Sequence, residues 1–119
     1  PQSDLDQSGD AKLMPVSHTV AYAAKSATIS NAVKAISHAD FSWGATDLAL
    51  AEVAYVTTRT AGVMLNWSSV DPTTTTGYFL AQNATIEITG NANIQALEFI
   101  REAGSDATVS VILEKYIAS

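Results

Sequence analysis

Asp4-Leu5-Asp6-Gln7-Ser8-Gly9 is the first stretch of the chain whose residue types could do chemistry. Oxygen-bearing side chains at alternate positions, followed by Gly, open an EF-hand calcium loop. The bidentate Glu that should close such a loop falls at Pro15, and too little chain precedes Asp4 for an entering helix. The stretch therefore reads as a solvated acidic segment. His18 and His38 are the only histidines, and neither stands at metal-ligand spacing from another ligand. No Gly-x-Ser-x-Gly elbow accompanies them, and cysteine is absent, which removes thiolate metal sites and disulfides. No enzymatic activity, cofactor or metal is expected. Trp43, Tyr55, Trp67 and Tyr78 could form a sugar-stacking platform, but aromatics of β-domains more often serve the core or a subunit interface. Asn66-Trp67-Ser68 and Asn83-Ala84-Thr85 fit the glycosylation triplet, a pattern short enough to arise by chance.

The elements that would position these residues are strands. Val63, Leu65 and Trp67 alternate onto one face; Thr85-Ile86-Glu87-Ile88 alternates and ends at Gly90. Val109, Val111 and Leu113 share a face against Ser110 and Glu114. A strand with one buried face requires this period of two. His18–Ala23, Lys25–Ser30 and Glu52–Thr58 carry the same pattern more weakly. Breaks fall at Ala61-Gly62, at Asp71-Pro72 with the threonines up to Gly77, at Gly90-Asn91 and at Gly104-Ser105-Asp106. Two segments also fit helices: Leu48–Val53 with Thr46 or Asp47 as cap, and Ile94, Leu97 and Ile100 with Asn93 as cap. Short apolar runs leave strand and helix open at both places.

The 119 residues suffice for one domain and not two. Residues 1–16 are polar and acidic and read as an extended arm; residues 17–119 read as a single β-sandwich or jelly-roll-like domain, all-β in class. Charged residues are only 15% of the chain, below the usual quarter or so, and Ala, Ser and Thr fill the gap. Such a neutral, hydroxyl-rich surface suits packing against identical neighbours. The net charge is −6, and no basic stripe exists for a nucleic-acid groove. No apolar run is long enough to span a membrane, and no charged segment followed by an apolar one suggests a secretion leader.

The second half carries a further order of features. Leu65-Asn66-Trp67 leads to Asp71-Pro72-Thr73, a Thr-rich loop, Gly77 and Leu80; Ile86, Ile88 and Gly90 follow. Leu97-Glu98-Phe99-Ile100-Arg101 and Asp106-Ala107-Thr108-Val109-Ser110-Val111 complete it. Over about residues 51–116 this order resembles the small structural proteins of tailed bacteriophages that decorate or cement a head shell. The Arg-rich stretch and Asp-Gly turn common in that family are replaced here by Asn66-Trp67-Ser68-Ser69-Val70.

The resemblance implies a β-rich virion subunit on the capsid exterior, made in the host cytoplasm, with strand at Leu97–Arg101. Its expected partners are the major capsid protein and further copies of itself, a trimer first and a dimer second, with neither nucleic acid nor membrane. Leu5, Leu13, Met14 and Val16 on the arm, with Trp43 and Tyr78, are the expected contact residues. Another virion part (tail, fibre or head–tail joining subunit) and a carbohydrate-binding adhesive module are the alternatives.

Overall fold

The computed structural model describes residues 17–68 and 70–118, and the side chains of all of these except Ser17 and Ala118. Eight strands run in chain order: β1 (Ser17–Ile29), β2 (Lys34–Ala35), β3 (Val53–Arg59), β4 (Val63–Asn66), β5 (Tyr78–Leu80), β6 (Thr85–Thr89), β7 (Glu98–Arg101) and β8 (Ala107–Ala118). Two short α-helices, α1 (Asp47–Leu50) and α2 (Asn91–Gln95), and one 3₁₀ turn (Ala39–Phe41) interrupt them. The strands form two 4-stranded antiparallel sheets, in the orders β1-β8-β3-β6 and β2-β7-β4-β5.

The pairing is nested. β1 pairs with β8, β2 with β7, β3 with β6, and β4 with β5. The chain is thus one long antiparallel ribbon, doubled back at the loop between β4 and β5 and rolled so that successive pairs alternate between the sheets. β4 and β5 are the one paired couple adjacent in sequence; every other pair closes over a long intervening segment. Non-local pairing of this kind favours slow folding.

Period-two patterning decides which faces meet. In β8, Val109, Val111 and Leu113 have no exposed surface, while Ser110, Ile112 and Glu114 point the other way. Their register partners on β3, Ala54 and Val56, are equally buried, as are Val63, Leu65 and Phe99 of the second sheet. All of these belong to one apolar core between the sheets. Thr58 is its one wholly buried polar side chain among the described residues; its hydroxyl donates to the Ala61 carbonyl at 2.7 Å, which offsets its desolvation.

β1 was expected as two pieces and is continuous, with a bulge. Ala21 faces Glu114 and Ala23 faces Leu113, which leaves Tyr22 as the extra residue. The Tyr22 hydroxyl donates to the Asp47 carbonyl, and the Lys115 ammonium stands 5.2 Å above its ring. The bulge thereby ties β1 to the segment that leads into β3.

Both ambiguous segments resolve into a helix followed by a strand. α1 covers Asp47–Leu50 and gives way to β3 at Val53. Thr46 occupies its N-cap without a side-chain bond, while Asp47 Oδ2 accepts from the Gly44 N–H at 2.8 Å. α2 holds Ile94, whereas Glu98–Arg101 is strand, as the resemblance implies. Asn91 joins the two helices: its Nδ2 donates to the carbonyls of Leu48 and Ala51, each at 2.8 Å.

Gly77 closes the long loop with φ of +128°, and a Cβ there would lie 2.9 Å from the Leu65 carbonyl oxygen. Gly77→Ala is expected to cost about 1–3 kcal/mol. For a domain of this size that lowers Tm by roughly 4–8 °C per kcal/mol, readable by differential scanning calorimetry. An unchanged Tm would mean that the loop relaxes freely.

Candidate functional site

The outward face of the β1-β8-β3-β6 sheet is the broadest regular surface among the described strands. Register places Ala21, Ala24 and Ser26 of β1 beside Glu114, Ile112 and Ser110 of β8. Tyr55, Thr57 and Arg59 of β3 follow on the other flank of β8, and Thr85 and Glu87 of β6 complete the face. On β1 its side chains are small. Ile112 rises at its centre, 43% exposed, where a strand outside a core would ordinarily carry a polar residue. Two shallow hollows share it as a wall, one lined by Ala21, Tyr22, Ala23 and Ala24, the other by Ala24, Lys25, Ser26, Ser110 and Val111.

Two hydrogen bonds join polar groups of this face. The Thr57 and Thr85 hydroxyls lie 2.8 Å apart, and Thr19 Oγ1 donates to Glu114 Oε1 at 2.6 Å. The carboxylates of Glu114 and Glu87 raise the Tyr55 hydroxyl above the ordinary phenol range, so it remains a neutral donor at physiological pH. Arg59 is the face's cation and enters no ion pair among the described residues.

The expected aromatic contacts fall into two separate groups. Trp43 stacks on Phe41 with ring centroids 6.0 Å apart and 11° between planes, and Phe41 meets Phe99 at 6.1 Å. Trp43 also donates from Nε1 to the Ile36 carbonyl at 3.0 Å, which places it at the rim of the core. Tyr78 lies against Trp67, centroids 6.0 Å apart and tilted by 49°, and is 48% exposed. Leu5, Leu13, Met14, Val16 and the Asp4–Gly9 segment lie outside the described residues.

Beside the Trp67–Tyr78 pair, Glu98 faces Asn66 across β7 and β4, and Asp71 of the long loop is near enough to accept a hydrogen bond from its protonated carboxyl. Burial raises the Glu98 pKa, and the Asp71 hydrogen bond and charge raise it further. The folded state therefore binds this proton more tightly than the unfolded chain. The resulting stabilisation is complete below the unfolded glutamate pKa and is lost as pH rises through the higher folded value. Glu98→Gln, which keeps a donor toward Asp71, is expected to raise Tm at pH 7 and change it little near pH 4. An equal shift at both pH values would separate the effect from titration.

His38 Nδ1 accepts from the Asp40 N–H at 3.0 Å, and Lys34 Nζ bridges Asp40 and the Thr28 carbonyl, at 2.5 and 2.7 Å. These contacts close the β1–β2 connection. His18 stands near the far end of β1 opposite Ile117. Among the described residues no three or more His, Asp or Glu side chains gather as metal ligands. No helix of the structure is long and apolar enough to cross a membrane. The alternation through Val111 already turns Ile112 outward, but no local pattern in the sequence joins it to Tyr55 in one surface. No family model matches this chain, and no curated protein or solved structure matches it either.

Proposed function

We propose that this chain is a non-enzymatic jelly-roll β-sandwich that decorates or cements the outside of a tailed-phage head by binding the major capsid protein, with residues 1–16 as an extended attachment arm. The nested strand pairing, distributed over two sheets, is the observation that carries this reading. Jelly rolls of eight strands are an architecture of viral capsid and lectin domains. The resembling residues also fall at coherent places. Asp71-Pro72-Thr73 lies in the loop between β4 and β5, Glu98-Phe99-Ile100-Arg101 is β7, and Asp106 immediately precedes β8.

The work of such a protein is mechanical. Many weak apolar and hydrogen-bonded contacts, multiplied by copy number and by a symmetric oligomer, hold capsomers together. A net charge of −6 disfavours contact with packaged DNA and suits the exterior. The arm's Leu5, Leu13, Met14 and Val16 would each contribute about 1.5–3 kcal/mol when fully buried on a neighbour. Ordering the arm costs about 1–2 kcal/mol per residue, so attachment depends on avidity.

The decisive experiment adds purified protein to heads that lack it and follows co-sedimentation and cryo-EM density. Saturable binding at lattice positions is expected, and deletion of residues 1–16 should weaken it about tenfold or more while leaving Tm unchanged. Heads that take up no protein would sink the reading. The Trp67–Tyr78 pair, with Tyr78 exposed beside Asn66 and Glu98, favours a second reading, a carbohydrate-binding adhesive module, which glycan-array binding abolished by Tyr78→Ala would support.

A further inference from the structure

From the outward face of the β1-β8-β3-β6 sheet we infer that the protein forms a two-fold dimer by packing this face against the same face of a second copy. The inference concerns the self-association surface alone and stands independently of the capsid reading.

The charges on the face are ordered along the strands. On β3, Arg59 stands at one end, level with Thr108 of β8. Val53 stands at the other end, level with Glu114. A two-fold axis lying in the interface and crossing the strands at right angles exchanges these ends. Arg59 of each copy then comes over Val53 of the other, one strand away from Glu114 on β8, and its long side chain reaches that carboxylate to form two ion pairs at the rim. A two-fold axis parallel to the strands instead brings Arg59 over Thr108 and leaves the charges unmatched.

The centre fits the same operation. Ile112 and Ser110 are the outward residues on either side of Val111, so the exchange sets Ile112 of one copy over Ser110 of the other. That position adjoins the hollow lined by Ala24, Lys25, Ser26, Ser110 and Val111, with Ile112 of the same copy forming its other wall. The knob and the hole are thus on the same face, one residue pair from the axis, as an isologous contact requires.

The edge of β1 is less suited to a second copy. Its register places Lys25 level with Val111, on the inward side but at the sheet's rim where the ammonium stays exposed, and Tyr22 bulges. Inward-pointing charge and bulges are devices that oppose edge-to-edge pairing.

The area is adequate for a modest dimer. Four strands spaced about 4.8 Å apart, with β1 and β8 longer than the others, offer a footprint of roughly 600 Å². A standard stable interface buries about 800 Å² per partner. Dissociation constants in the micromolar range are expected from such a face.

Sedimentation equilibrium of the full chain from about 1 to 200 µM tests this. A monomer–dimer equilibrium is expected. Ile112→Lys should weaken it about tenfold or more with Tm unchanged in dilute solution. Arg59→Glu should weaken it, and Arg59→Glu combined with Glu114→Arg should restore it. Rising salt is a second measure of the same rim pairs and should weaken the wild-type dimer. A monomer at all concentrations, a trimer, a dimer indifferent to Ile112→Lys, or a dimer indifferent to both salt and charge exchange would each overturn the inference. A dimer that meets these tests but does not bind heads would leave it standing and remove the capsid reading.

Discussion

Val111→Asp is expected to leave no cooperatively folded protein, whereas Ser110→Asp, one residue earlier, is expected to keep the fold. Val111 has no exposed surface and sits in the middle of β8, level with Val56 of β3. A carboxylate there has no cation within the core to pair with: Lys25 is level with it on β1, but its side chain is exposed at the sheet edge. An uncompensated buried charge costs about 3–5 kcal/mol or more. Whole-domain stability is about 5–15 kcal/mol, and lost packing adds to the charge penalty. Ser110 points outward and is half-buried among Ser26 and Thr57, where an aspartate keeps contact with water. Soluble yield and far-UV circular dichroism of the two variants make the comparison. Strand signal and a sigmoidal melt should survive in Ser110→Asp and vanish in Val111→Asp. Equal behaviour of the two would mean that β8 does not have these faces.

Such a prediction was available from sequence because β8, like β6, has faces of unlike polarity. Val109-Ser110-Val111 alternates as a half-buried strand must, and the burial follows it residue by residue. β1 was harder to read. Its alanines at 21, 23, 24 and 27 offer no contrast between faces, and the bulge at Tyr22 shifts the parity of everything before it. Two weak pieces were therefore read where one strand of 13 residues runs. Trp67 was assigned to the face of Val63 and Leu65 by continuing the alternation, but β4 ends at Asn66 and Trp67 reaches the core rim from the loop. The helix-like spacing of Ile94, Leu97 and Ile100 mixed two elements. Ile94 belongs to α2, and Ile100 belongs to β7, where it faces away from Phe99.

The candidate surface was less legible than the strands. Which strands become neighbours depends on pairings that close over long segments, and no local pattern encodes them. The outward position of Ile112 followed from period two, yet its neighbours Ala24 and Tyr55 come from strands distant in the chain. The same holds for the approach of Asp71 in the long loop to Glu98 on a strand of the second sheet. Phe41, Trp43 and Phe99 likewise meet only because β7 lies beside β2.

Phe99→Ala is expected to be the most destabilising truncation in the second sheet. The Phe99 ring has no exposed surface, and its register partners are Leu65 of β4 and Lys34 of β2. Removing a buried Phe ring costs about 3–5 kcal/mol, the loss of transfer energy plus the cavity left behind. The ring also supports Phe41 at 6.1 Å, and Phe41 in turn stacks on Trp43. Collapse of Phe41 into the vacated space would partly offset the cavity but would pull the stack away from Trp43. Two readouts therefore follow from one substitution. Tm should fall by roughly 4–8 °C per kcal/mol, and the tryptophan emission should shift toward the red while the protein is still folded. Tyr116→Ala supplies the contrast: that ring is 60% exposed near the end of β8, and its loss should change Tm by an amount within about 0.5 kcal/mol of wild type. A large loss of Tm in Phe99→Ala with unchanged tryptophan emission would show that the Phe41–Trp43 stack stands without Phe99. Similar small losses in both variants would show that Phe99 is not in the core, and the placement of β7 between β2 and β4 would then be wrong.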